Sequence, residues 1–162
     1  MKISRLLFYI LFLVYFFSCS TNNDEQPTQS IDLELVNEND WEMSNNILNL
    51  INIHRASIGK SIIEKDTSYA TAYAVHHSKY METIDRVNHD NFFIRSTFLK
   101  EKGAVAVSEN IAYAYSSAES VVNAWLKSDP HKEIIEGDFS HIGFGVIKSS
   151  NSRYYYTTIY YK

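Results

Sequence analysis

From Asp40 to Ser57 the apolar residues Trp41, Ile47, Leu50 and Ile51 recur near i, i+3, i+4 spacing, with His54 on the same stripe. That period predicts an amphipathic helix, and Gly59 supplies its stop. A second helix is expected from Asp66, a good N-cap, through "TSYATAYAVHHSKYMETID". Ala70, Ala74, His77 and Met81 share one face of it, flanked by Tyr73 and Tyr80, and the small alanines call for close packing against another element. In the third, Ser116 and Glu119 have capping-box spacing ahead of "VVNAWLK", and Pro130 is expected to end the helix.

The period then changes to two. "HIGFGVIK" and "RYYYTTIYY" flank "SSNS", a turn-rich tetrapeptide, so they read as a hairpin. Tyr154, Tyr156, Thr158 and Tyr160 face one way; Tyr155, Thr157, Ile159 and Tyr161 face the other. Neither face is polar as a solvated sheet face would be, so the last strand should be covered on both sides. The fold class is therefore α+β, a three-layer α-β-α sandwich around a central antiparallel sheet.

Ahead of this domain the pattern is different. Lys2 and Arg5 precede an apolar run from Leu6 to Phe17. At about twelve residues the run is too short to cross a hydrocarbon layer of roughly 30 Å and fits a signal-peptide core. It ends at Cys19, the chain's only cysteine, which makes an intrachain disulfide impossible. Residues 1–18 are expected to be a lipoprotein signal, with Cys19 lipidated and so anchored to a membrane of the bacterial cell envelope, periplasmic or surface-facing. An uncleaved anchor and a plain secretory signal are the alternatives. The polar, acidic residues 19–39 read as a flexible tether, and 40–162 as the domain. A net charge of −4 over 162 residues argues against nucleic acid as a partner.

Chemistry is sparse. There is no G-x-S-x-G elbow, no phosphate-cradling glycine loop and no H-E-x-x-H helix. The remaining candidates are His89 in "RVNHDNFFIR", Glu109 in "VAVSENIAYAY", and His131 just after Asp129–Pro130. A glutamate among small apolar residues needs a partner close in space. Each also has a plain reading, as a loop or core histidine or a turn cap. His54, His76, His77 and His141 are expected to be structural or solvated.

Taken in order, these segments resemble the CAP superfamily, the SCP-like domains related to cysteine-rich secretory proteins and class 1 pathogenesis-related proteins. "INIHRASIG" resembles its N-x-x-R-x-x-x-G opening, "HDNFFIR" its H-x-N-F-x-x-R segment, and "SENIAYAY" its E-N-(I/V/L)-A segment. "AESVVNAWLKSDPH" is similar to its tryptophan helix ending in S-P-G-H, and "HIGFGV" and "RYYYTTIYY" to its last two strands. "SDPH" departs from S-P-G-H, and Thr158 stands where many relatives have Gln. The resemblance runs from Ser44 to Lys162.

It implies that His89, Glu109, Asn110 and His131 line one cleft. It also implies that His89 and His131 could ligate zinc or another divalent cation, with Glu109 as the candidate catalytic group. The expected function is an extracytoplasmic binding module for a small apolar or lipid, envelope or protein ligand. The alternative is a metal-dependent hydrolase of peptide or envelope substrates.

Overall fold

The structure, a computed structural model, describes residues 30–162; the signal-like segment, Cys19 and the first part of the expected tether lie outside them. The elements run α1 (Trp41–Ser57), β1 (Glu64–Lys65), α2 (Tyr69–Thr83), α3 (Phe92–Glu101) and β2 (Val107–Tyr113). Then come α4 (Ala118–Leu126), α5 (Asp129–Ile135), β3 (His141–Lys148) and β4 (Tyr154–Tyr161).

The sheet order is β1-β3-β4-β2, which places the two-sided tyrosine strand in the interior of the sheet. β4 is antiparallel to both β2 and β3, while β1 adds a short parallel bridge to β3. Side chains alternate across the sheet. Ile142, Phe144, Val146, Tyr156 and Tyr160 point to the side where α1, α4 and α5 contribute Ile47, Ile51, Val121, Trp125 and Ile135. Ile159 points the other way, to Ala70, Tyr73 and Ala74 of α2 and Leu99 of α3. The three layers are those the hydrophobic pattern requires.

The alanine face of α2 meets a glycine pair. A Cβ built on Gly143 would lie 2.4 Å from the carbonyl carbon of Ala70, and one on Gly145 would lie 2.1 Å from that of Ala74. The two glycines of the I-G-x-G strand therefore let helix backbone approach sheet backbone.

The opening motif is also structural. Asn52 pins a loop by donating to Ile63 O at 3.0 Å and accepting from Ile63 N at 2.8 Å. Arg55 is buried and donates to Ser61 O, Ile135 O and Gly137 O at 2.6–2.8 Å. Gly59 has φ +75°, which glycine adopts without the usual side-chain penalty.

Some expectations fail. The tether reading does not hold over its last residues, because Leu33–Glu38 forms a 3-10 helix capped by Asp32. Asn39 is buried, and its side chain accepts from Val146 N at 2.8 Å and donates to Ser44 Oγ at 3.0 Å. Composition could not reveal this, since the partner strand is more than a hundred residues away. α4 is capped by Ser117 and Ser120 rather than Ser116 and Glu119. It ends before Pro130, which sits in the first turn of a separate helix, α5. Proline suits that place because its missing N–H has no intrahelical partner there.

Candidate functional site

Glu109 lies in β2, and its neighbour Asn110 necessarily points to the opposite face. On the α2/α3 side, the Glu109 carboxylate is almost completely buried and carries three hydrogen bonds. Arg95 donates from Nε to Oε2 and from Nη2 to Oε1, each at 2.8 Å. His89 Nδ1 lies 2.9 Å from Oε1, and because an ionised carboxylate only accepts, that nitrogen carries the proton. Arg95, also buried, is the partner that a glutamate in apolar surroundings needs, and this fork geometry suits a carboxylate. Its signal in the sequence is the closing arginine of "HDNFFIR".

The loop that carries His89 is held from beneath. His77 is buried on α2, with Nε2 2.7 Å from Asn88 O. Arg95 Nη1 donates to Asp90 O at 2.8 Å, and the Tyr80 hydroxyl to Asp90 Oδ2 at 3.0 Å. Asn91 then enters α3 in the left-handed region at φ +60°, one of the few non-glycine residues that does so readily. With its Nδ1 fixed and its side chain 52% exposed, His89 presents Nε2 outward.

His131 approaches from the other face. It lies on α5, and its own carbonyl accepts from Asn110 Nδ2 at 3.1 Å. Its Nδ1 is 2.7 Å from the hydroxyl of Ser128, the N-cap residue of α5. The serine of "SDPH" thus orients the imidazole. Burial pulls the His131 pKa below its ordinary value, and the charge of His89 pushes it further down. Burial lowers His77 as well, followed by the field of Arg95.

Of the four expected cleft residues, Glu109 and Asn110 thus project to opposite faces of β2, while the His131 ring lies within the field of His89. Glu109 holds His89. Asn110 holds the His131 backbone, and Thr158 is buried beside it, with its Oγ1 3.3 Å from Asn110 O. Asn110 is a fully buried support of the α5 backbone and does not line a cleft shared with Glu109. A groove of about 650 Å³ runs beside the α5 face of β2, lined by Val105, Ala106, Ser108, Pro130, Ile134 and Phe139 among others. The remaining histidines are occupied as expected or solvated. His54 contacts Glu136 Oε1 at 2.8 Å, and His141 stacks on Tyr161 at 5.0 Å.

The donor set defines what could be held here. Among the described residues no group of three or more His, Cys, Asp or Glu side chains is placed to hold a metal ion. Glu109 is turned inward, 1% exposed, with three hydrogen bonds on its carboxylate. What remains is a pair of imidazoles, each anchored through Nδ1. A closed zinc site has four protein ligands and a catalytic one usually three, so this pair falls short of either.

A family model described as "CAP: Cysteine-rich secretory protein family" matches residues 48–161. The chain is 33% identical over 121 residues to "Uncharacterized membrane protein YlbC" of Bacillus subtilis, which covers 72% of this chain and 33% of that one. The chain thus spans about a third of that curated relative. An outer surface protein from Borrelia burgdorferi superposes with a TM-score of 0.68 at 20% identity, over 75% of this chain and 93% of that one. An extracellular protein containing a SCP domain from Bacillus anthracis gives 0.60 at 25% identity, over 74% and 41% of the two chains.

Proposed function

The chain belongs to the CAP, or cysteine-rich secretory protein, family, and we propose that it is an extracytoplasmic binding module whose ligand meets His89 and His131. The observation that carries this reading is the engagement of Glu109. A general base must reach the proton it removes. The Glu109 side chain is 1% exposed and bonded to Arg95 and His89, so its role is to set the His89 ring. Two imidazoles with fixed Nδ1, that of His89 with Nε2 outward, suit binding: of a polar ligand group, or of an exchangeable divalent cation such as zinc whose other positions are filled by water or ligand. Such an ion, when bound, would supply a positive charge for a ligand oxygen. A carboxylate behind a ligating histidine raises its basicity and fixes its tautomer.

Titration calorimetry with zinc chloride tests this. One site per chain is expected, weakening as the solution is acidified, because imidazole must be neutral to ligate. His89→Ala and His131→Ala should each weaken it by tenfold or more, about the range seen when metal-site residues are lost. Undiminished binding in both variants would remove the histidines from the reading.

A second reading, a hydrolase of peptide or envelope substrates in which His89 is a base and not a metal ligand, is favoured by the Glu109–His89 pair. Carboxylate, imidazole Nδ1 and free Nε2 are in the order of an oriented general base, with His89 rather than Glu109 in that role. A peptidase or peptidoglycan hydrolase activity lost in His89→Ala would favour it.

The membrane anchor belongs to the proposal too. The short apolar run ending at Cys19 supports lipidation there. Labelled palmitate should enter the protein in a bacterial host and be absent from Cys19→Ser. Equal labelling of the two would defeat the anchor.

A further inference from the structure

We propose that the free edge of β2, between His89 and His131, takes an extended peptide as an added strand. This rests on the binding reading above and names the ligand class of that site.

The two edges of the sheet are treated differently. Beyond the short β1, the outer edge of β3 is closed by other parts of the chain. Thr71 Oγ1 accepts from Phe144 N at 3.1 Å, and Asn39 Oδ1 from Val146 N at 2.8 Å. Asp40 N donates to Val146 O at 3.0 Å and Asp66 N to Ile142 O at 2.8 Å. Outward groups of Ile142, Phe144 and Val146 are thereby occupied.

On β2 the register sets Asn110 opposite Thr158. Lys162 N donates to Ala106 O at 3.1 Å and Ala114 N to Tyr154 O at 2.9 Å, so the even-numbered positions carry the ladder to β4. Within Val107–Tyr113 the odd positions turn their N–H and C=O away from it, whereas Val105 N, just before the strand, donates to Lys162 O at 2.6 Å. Ile111 O accepts from the Trp125 indole at 3.0 Å. Val107 and Glu109 have no such cover: among the described residues nothing bonds to their outward backbone groups.

Unpaired edge groups of this kind are a template for another strand. Val107 and Glu109 stand two residues apart, a repeat of about 6.6–6.8 Å along a strand. An ion or a small ligand meets one of these groups; alternating donors and acceptors at that repeat are met by a polypeptide backbone. An added strand would send alternate side chains to opposite faces. One set would enter the groove lined by Ala106, Ser108, Ile134 and Phe139, with Val105 78% exposed at its edge. The other would pass the outward Nε2 of His89. Glu133 also lines the groove and has no ion pair among the described residues, whereas Lys162 is bonded to Asp138 at 2.7 Å. The peptide favoured is therefore apolar and β-branched at alternate positions, with a basic rather than an acidic flank.

The test uses a synthetic library of fluorescent octapeptides with Val, Ile or Thr at alternate positions and a flanking Lys or Glu, read by anisotropy. Lys-flanked members should bind. Val107→Pro deletes an outward N–H and no ladder bond, a substitution edge strands tolerate, and should weaken binding about tenfold or more while leaving zinc affinity unchanged. N-methylating the peptide amide that faces β2 should weaken it equally, which keeps the test decisive if Val107→Pro does not fold. Absence of binding throughout the library, or binding indifferent to both changes, overturns the proposal. Peptide binding without zinc binding would leave the edge standing and remove only the metal.

Discussion

Gly145→Ala is expected to destabilise the domain by about 3 kcal/mol or more, at or beyond the upper end of the usual cost of overpacking. The new methyl would lie 2.1 Å from both the carbonyl carbon and oxygen of Ala74 and 2.5 Å from Val75 N. These are backbone atoms of α2, so no rotamer change relieves the contact; the helix must lift from the sheet. Lifting it would also strain the Ser78 hydroxyl, which donates to Gly145 O at 2.7 Å. Urea unfolding of the variant checks this. A loss under about 1 kcal/mol would mean that α2 does not lie against β3 as described.

Arg95→Ala should be similarly costly, at about 3–5 kcal/mol, because it strands the Glu109 carboxylate without its cation in the interior. Exposed ion pairs have no such consequence, and Lys79–Glu38 or Lys162–Asp138 on the surface should be nearly silent. The double variant Arg95→Met with Glu109→Leu should recover much of the loss, since a buried pair replaced by apolar residues is often close to neutral. If the double variant instead costs as much as both single changes together, Glu109 and Arg95 do not compensate one another. The recovered fold should still lack histidine-dependent binding, because nothing would then hold the His89 ring.

Much of this is legible in the chain. The two-sided tyrosine strand announces a covered interior position, and the alanine face of α2 announces a close neighbour. Gly143 and Gly145 complete that contact, although only the packed structure shows the backbones meeting. α3 escapes notice because its pattern is blurred: Phe93 and Ile94 are exposed, while Arg95 and Ser96 are buried. β2 escapes because Glu109 and Asn110 interrupt the apolar period that marks a strand, and both are buried for reasons that lie in other elements. Pro130 reads as an ending, whereas the first turn of a helix accepts proline without loss. Of the candidate site, order and spacing single out His89, Glu109 and His131. They do not show the strand that divides them, since adjacency of Glu109 and Asn110 in sequence says nothing about sides until the segment is known to be extended.

The proposed binding site requires His89 and His131, 42 positions apart in number, to lie near one another beside β2, and the field of His89 reaches His131. Imidazole NMR signals followed against pH test it without any ligand. Because burial and the neighbouring His89 charge both disfavour its protonation, His131 should titrate below the ordinary imidazole value. In His89→Gln the burial remains and the charge is gone, so the His131 pKa should move up toward about 6.5 without reaching it. A His131 titration identical in the two proteins would contradict the shared site.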